Sequence, residues 1–219
     1  MIGIILKESL MGKSIYRTLA NIELGDREYS GSILDIGGGK ARASHYRFLN
    51  IAPSAHIQTV NVDSKANPDF LVDVTRERVP LDDNSQHVVF CFNTLEHLAS
   101  WDTVLSETLR LLKPGGVFVG SIPFLVGVHA DPHDYVRMTD EGLRKEFSAV
   151  GFENIVIKPV GRGPFTAAFA QVEFLFPFVF HALIVCIALF LDWILRAARP
   201  DLRLEQKYVL NYIFYCELE

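Results

Sequence analysis

The sequence predicts an α/β fold built on a mainly parallel sheet, and three observations carry that prediction. Short apolar runs and helical patterns alternate along residues 30–160. The runs are apolar at nearly every position, as strands buried on both faces must be, rather than at every second position. Turn residues bound each run, so strand and helix follow one another with short connections. At 219 residues the chain has room for one domain with an elaboration. Its 21% share of charged residues, mixed in sign, is that of a folded protein.

In chain order, residues 1–29 read as an N-terminal helical segment. Strands are expected at Ser32–Ile36, Ile57–Val62, Phe70–Val72, Val88–Phe92 and Gly116–Ile122, each followed by Gly, Asp, Asn or Pro. A helix is expected from Trp101 to Leu112, where Val104, Leu105, Thr108, Leu109, Leu111 and Leu112 recur near helical spacing before Lys113-Pro114-Gly115-Gly116 stops it. A second helix runs from Thr139, an N-cap with Glu141 in the first turn, to Val150, with Gly151 as the C-cap. Phe152–Lys158 supplies a sixth strand, and Tyr208–Cys216, apolar almost throughout, a seventh.

Several function classes are excluded at this level. A net charge of −5 argues against gripping nucleic acid by neutralising phosphates. Cys91, Cys186 and Cys216 are too widely spaced for a disulfide framework or a zinc knuckle, so a reducing, cytoplasmic setting is expected. The apolar run before Lys7 is too short for a signal-peptide core.

In parallel sheets ligands bind beyond the carboxyl ends of the strands. The first strand ends in Asp35-Ile36-Gly37-Gly38-Gly39-Lys40-Ala41, where three glycines let the backbone turn tightly and approach a ligand. A helix is expected next, its amino end meeting a polar group of that ligand. A dinucleotide fingerprint fails, because counting from Gly37 and Gly39 brings Arg42 to the third small position. A phosphate loop fails too, because Lys40 is followed by Ala41 and not by Ser or Thr. The carboxylate of Asp35 would repel pyrophosphate but accept a bond from an ammonium group. Asp63 and Asp73 follow the next two strands, so three acids border the expected pocket, which suits a cationic ligand.

On these residues the sequence resembles the class I S-adenosylmethionine-dependent methyltransferases of the type-eleven domain. Their D-x-G-x-G-x-G motif is matched by Asp35, Gly37, Gly39 and, with one small-residue change, Ala41. Asp63 stands where the family binds the ribose hydroxyls, and Asp73-Val74 where it recognises adenine. Pro80–Val89 is similar to the family's approach to strand four, with His87 replacing an aspartate, and Leu112-Lys113-Pro114-Gly115-Gly116 to its turn into strand five. The resemblance covers roughly residues 30–160. It implies a Rossmann-like three-layer sandwich with a seven-stranded sheet, the last strand antiparallel between the fifth and sixth. It also implies S-adenosyl-L-methionine as cofactor, held by Asp35, Gly37, Gly38, Gly39, Asp63, Asp73, Val74 and Asn93.

Methyl transfer from a sulfonium asks the protein for orientation and, for a hydroxyl acceptor, a base. Two polar clusters follow strands four and five. In Asn93-Thr94-Leu95-Glu96-His97, the Glu-His pair either opens a helix beside the cofactor or supplies His97 as a base. Some relatives carry E-x-x-E-H there and bind a divalent metal, but Asn93 replaces the first glutamate, and no metal is expected. His129-Ala130-Asp131-Pro132-His133-Asp134-Tyr135-Val136-Arg137 offers His129 and His133 as bases. His-x-Asp-x-His would need an alternating loop to turn all three ligands inward, and the plainer alternative is a rim loop in which Asp134 and Arg137 pair. The methyl acceptor is a small molecule, or a hydroxyl of a sugar or lipid-linked glycan. A non-catalytic scaffold of the same fold is the rival reading.

Between Pro164 and Leu195, 25 of 32 residues are apolar, which accounts for a mean hydropathy of +0.20. This insert, within residues 161–206, lies between strands six and seven, with residues 207–219 returning to the sheet. Phe174–Leu191 would make about 27 Å of helix, long enough to cross a membrane. A single crossing would place the sixth and seventh strands on opposite sides, and they could not then share one sheet. The segment therefore lies on the cytoplasmic face of a membrane, where Arg162, Arg196 and Arg199 suit anionic headgroups, or packs against its own core or a second copy.

Overall fold

The computed structural model describes residues 1–25 and 27–218. Its strands are β1 (Glu28–Tyr29), β2 (Ser32–Ile36), β3 (Asn50–Ile51), β4 (His56–Asn61), β5 (Phe70–Leu71), β6 (Gln86–Phe92), β7 (Leu112–Pro123), β8 (Asn154–Gly161) and β9 (Val209–Glu217). Seven of them form one sheet in the order β5-β4-β2-β6-β7-β9-β8. The pairs β2–β4, β2–β6, β4–β5 and β6–β7 are parallel. β9 runs against β7: Leu218 meets Gly115 and Gly116 at one end, and Leu210 meets Phe124 at the other. The α/β class, the seven strands and the inserted antiparallel last strand all match the expected fold.

Two differences concern the crossover from β2 to β4. The helix expected after the glycine loop is absent among the described residues; a 3-10 turn, Ser44–Phe48, is the sole helical element there. Asn50–Ile51 is taken up by parallel pairing with Glu28–Tyr29, a two-stranded sheet too short to leave a sequence signal. Between Gly37 and Asn50 the chain forms the 3-10 turn Ser44–Phe48 in place of the expected helix.

Burial follows the pleat. Val89 of β6 pairs with Phe118 of β7 and shares its face, while Phe90 points the other way. On one face Phe118 meets Phe147, Phe152 and Phe214. Phe147 lies on α4 (Asp140–Val150), which is capped as expected by Thr139, accepting from the Gly142 amide, and by Gly151 at φ +113°. Trp101, at the start of α3 (Asp102–Leu111), stacks on the same ring. On the other face Phe90 meets Tyr29, and Phe92 meets His45.

The chain divides into two compact units. One comprises Leu24–Ile122, His129–Lys158 and Ile213–Glu219; the other comprises Met1–Glu23, Pro123–Val128 and Pro159–Tyr212. The second unit gathers α1 (Ile2–Leu10), α2 (Ile15–Ile22), α5 (Pro164–Val172), α6 (Phe178–Ala198) and α7 (Leu204–Lys207). Within it α6 packs against α5 and α1. Buried Asp192 of α6 accepts from the Phe165 and Thr166 amides at 3.0 and 2.8 Å, satisfying the open end of α5 that Gly163 cannot cap. Glu173 accepts similarly from the Ile15 amide at 3.0 Å, at the start of α2.

Candidate active site

β2 ends at Ile36 and the chain turns at Gly37, whose φ is +85°. A Cβ at Gly37 would strike Thr94 Oγ1, and one at Gly39 the carbonyl oxygen of Ala66. Only glycine fits where the loop presses on both neighbours. Asn61 Nδ2 donates to the carbonyls of Gly37 and Gly38 at 2.9 and 3.1 Å, and Lys40 donates its amide to Ala66 at 3.0 Å. The Lys40 ammonium pairs with Asp69. So fastened, the loop walls a cavity of about 230 Å³ with Asp35, His45, Lys65 and Phe92.

Asp35 is the chemical centre of that cavity. It is 4% exposed and accepts a 2.6 Å bond from the Tyr46 hydroxyl. Burial pushes its carboxyl up to about 7, against the downward pull of Tyr46 and Arg42. A buried acid whose ionised form is incompletely compensated would be stabilised by a cation placed beside it. Desolvation and the Asp35 carboxylate hold the Tyr46 phenol protonated, so it donates.

Of the expected ligand contacts, Asp35, Gly37, Gly38 and Gly39 line the cavity together, while Asp63, Asp73, Val74 and Asn93 lie outside its wall. Asp63 caps the 3-10 turn Ser64–Ala66 by accepting from the Lys65 amide at 2.9 Å. Asp73 accepts from the Thr75 amide and hydroxyl, bonds that lower its pKa, and Val74 is buried in the core. Asn93, at φ +48°, is tied to β7: its amide donates to Ser121 at 2.8 Å, and its Oδ1 accepts from the Ser121 hydroxyl at 3.1 Å.

Beyond the end of β6 the structure assembles a cluster of titratable side chains. Glu96 is fully buried, and neither carboxylate oxygen has a hydrogen-bond partner among the described residues. Its pKa is raised well above the usual carboxylate range, chiefly by burial. His97 Nε2 and His129 Nε2 each stand 3.7 Å from Glu96 Oε1. His97 Nδ1 lies 2.6 Å from the main-chain oxygen of His133; a carbonyl can only accept, so Nδ1 carries the proton and Nε2 faces Glu96. His133 therefore enters through its backbone, while its ring is exposed beside Tyr135. Asp134 and Arg137 form a two-pronged ion pair at 2.5 and 2.7 Å, which holds the Asp134 carboxyl at about 2. Asp134 also accepts from the His129 amide at 2.9 Å, so the pair sets the rim loop under His129. The ligand atoms of Glu96, His97 and His129 lie within 4.8 Å of one another, a set able to hold a divalent ion and different from the His-x-Asp-x-His set weighed on sequence.

Residues 34–120 match a family described as a methyltransferase domain. That match covers about two fifths of the chain and includes the Asp35–Ala41 loop, Asp63, Asp73 and Asn93. Its sequence is also 30% identical over 105 residues to dimethylglycine N-methyltransferase of Parasynechococcus marenigrum (strain WH8102), covering 42% of this chain and 38% of that protein. Among solved structures, Haemonchus contortus phosphoethanolamine N-methyltransferase 2 with S-adenosyl-L-methionine aligns over 99% of this chain and 56% of its own, with TM-score 0.53 and 16% identity. An S-adenosylmethionine-dependent methyltransferase from Archaeoglobus fulgidus aligns over 97% of this chain and 98% of its own, with TM-score 0.56 and 15% identity. At such identities the structures speak for the fold. The chain thus spans little more than a third of the curated relative and about half of the Haemonchus enzyme.

Within residues 34–120, Tyr46, Asn61 and Thr94 escaped sequence reasoning. Tyr46 and Asn61 hold Asp35 and the glycine loop, and Thr94 Oγ1 reaches the Ile36 carbonyl at 3.4 Å. The one available signal was position: Asn61 precedes Asp63 by two residues at a strand end, where side chains reach neighbouring loops.

Proposed function

We propose that the chain is an S-adenosylmethionine-dependent methyltransferase acting on a small molecule whose acceptor atom carries a proton. The observation that supports this best is the buried Asp35 carboxyl in the wall of the glycine-loop cavity, suited to the cofactor's ammonium group. The cofactor supplies an electrophilic methyl group. Asp35, with Gly37, Gly38 and Gly39, holds its amino-acid part, and Asp63 and Asp73 are the assigned partners for ribose and adenine. Asn93 is held in place by Ser121 on the side of the next strand.

The second requirement is a destination for the acceptor's proton. His97 Nε2 takes it, and the Glu96 carboxylate beside it stabilises the imidazolium. His129, on the same carboxylate, is the alternative base. The curated relative is named for an amine acceptor, and an amine protonated at neutral pH must shed that proton before it attacks. Small amines are therefore the first acceptors to screen, with sugar and lipid-linked glycan hydroxyls as further arms.

Calorimetry with S-adenosylhomocysteine tests the cofactor assignment: the folded chain should bind it, and absence of binding would favour the non-catalytic scaffold. Transfer of labelled methyl to a panel of amines and hydroxyl compounds tests the acceptor class. Loss of transfer in His97→Ala and His129→Ala, with S-adenosylhomocysteine binding retained, supports the base assignment.

A further inference from the structure

The helical unit exposes apolar side chains where a water-facing helix carries charge. Along α6, Val179, Leu183, Ile187, Phe190 and Ile194 follow helical spacing and are all exposed, while Val185, Ala188 and Asp192 on the opposite stripe are buried. Phe178, Phe180 and Trp193 extend the exposed face. Eight half-exposed side chains of roughly 150–250 Å² each present on the order of 800 Å², more than a soluble monomer usually shows. The polar residues of α6 do not interrupt it: Asp192 is buried against α5, His181 Nε2 lies on the carbonyls of Glu173 and Phe176, and Arg196 lies past the apolar stretch.

We propose that this face seats the chain on a lipid bilayer bearing anionic headgroups, with α6 lying along the interface. The proposal is independent of the methyl-transfer chemistry. Two observations select the orientation. The insert leaves from β8 and returns to β9, neighbours in one sheet, and Gly161 abuts the main-chain oxygen of Tyr208 where its two ends meet. α5, with nine residues, extends about 13 Å and cannot bring the chain back across a bilayer. A crossing by α6 would also drag Asp192 from the amides it satisfies.

Charge selects a bilayer over a second copy. The helical unit carries eight Lys and Arg against six Asp and Glu, net +2, and one of those acids is the buried Asp192. The other unit carries the remaining thirteen against twenty, net −7. Arg196, Arg199 and Arg203 come after Trp193 in the chain, Arg196 paired with Glu205 and Arg199 with Asp201, in the order of an interfacial helix end with an aromatic anchor and basic headgroup contacts. Two copies joined through this face would bring the same basic groups together; anionic lipid complements them.

The chain's two tryptophans make the test direct, because Trp101 is 5% exposed and Trp193 is 58% exposed. Mixed with phosphatidylcholine vesicles containing 30% phosphatidylglycerol, the detergent-free chain should show a blue-shifted emission, quenched by brominated acyl chains. It should float with these vesicles at least ~10-fold more strongly than with phosphatidylcholine alone, and less in high salt. Trp193→Phe should abolish the spectral change and keep flotation. Leu183→Glu/Ile187→Glu, on the exposed stripe, should lower flotation ~10-fold or more with an unchanged circular dichroism spectrum. Unchanged emission and no flotation with either vesicle would overturn the proposal, as would a stable dimer that shields Trp193 without lipid.

Discussion

Replacing Asp35 with Asn should stabilise the ligand-free protein while removing its affinity for cofactor. Burial pushes the Asp35 carboxyl up to about 7 from an ordinary value of 3.8, roughly 3 pH units. At 1.36 kcal/mol per unit, ionising it in the folded state costs about 4 kcal/mol. Because the folded-state value is the raised one, the folded protein holds more protons than the unfolded chain between about pH 4 and 7, and stability falls as pH rises through that window. Asn cannot ionise, yet its carbonyl can still accept from the Tyr46 hydroxyl. D35N should therefore lack this fall and, above pH 7, exceed the parent by up to ~4 kcal/mol, or about 10 °C in Tm for a chain of this size. Thermal unfolding from pH 5 to 8.5, with and without S-adenosylhomocysteine, reads both effects. The parent should gain most from the ligand at high pH, where the ammonium meets an ionised carboxylate; D35N should gain little. Superimposable Tm–pH curves, or equal ligand stabilisation at pH 8, would refute the reasoning.

Glu96→Gln should lower kcat by about 10²–10³ with S-adenosylhomocysteine affinity intact, because it removes the charge facing His97 and His129 and leaves the cavity untouched; a rate within threefold of the parent would remove Glu96 from the mechanism. His133→Ala should leave kcat within about threefold and His97→Ala should cost about 100-fold, since His133 contributes its main-chain oxygen. The reverse ranking in initial-rate assays would reassign the base. Arg137→Ala leaves the buried Asp134 carboxylate without its ion pair, at a cost of about 3 kcal/mol. Asp134 is held at about 2, so its contribution is present above the ordinary carboxylate value and lost as pH falls through 2. Acid unfolding of the variant, followed by circular dichroism, should accordingly begin at higher pH than in the parent. The cofactor acid and the base cluster both hold protons at low pH, so log(kcat/KM) should climb with a slope above one below neutrality, and D35N should reduce that slope to one.

The sheet was legible because its strands are apolar on consecutive residues and end on Gly, Asp, Asn or Pro, so that Ser32–Ile36 emerges at its predicted limits. What sequence could not show is where a polar side chain spends its hydrogen bonds. Asp63 and Asp73 stand at their strand ends, but local geometry engages each carboxylate with an amide two residues on. His133 looks like a base beside His129, yet the turn of the rim loop uses its carbonyl. Glu96 looks like an ordinary helix-opening acid; its surroundings include His129, Asp134 and Arg137, more than thirty positions away. The pairing of β3 with Glu28–Tyr29, 22 residues upstream, was likewise not legible, because it joins two-residue segments distant in sequence. The grouping of the N-terminal helices with the insert rests on side chains such as Glu173 reaching Ile15 across 158 residues.

Asp35 and Glu96 make one arrangement when taken together. β2 and β6 are paired neighbours; Asp35 is the penultimate residue of the first, and Glu96 stands four residues past the end of the second. Burial raises the pKa of both, and each lacks the full set of donors that would stabilise a carboxylate inside a protein. Two incompletely compensated acids at adjacent strand ends lower stability. A positively charged ligand changes that balance at the first site by meeting the ionised form, and a proton released by an acceptor changes it at the second. On the proposed roles of Asp35 and Glu96, cofactor and acceptor would relieve this electrostatic cost in turn, which makes the cost of the two residues intelligible as function.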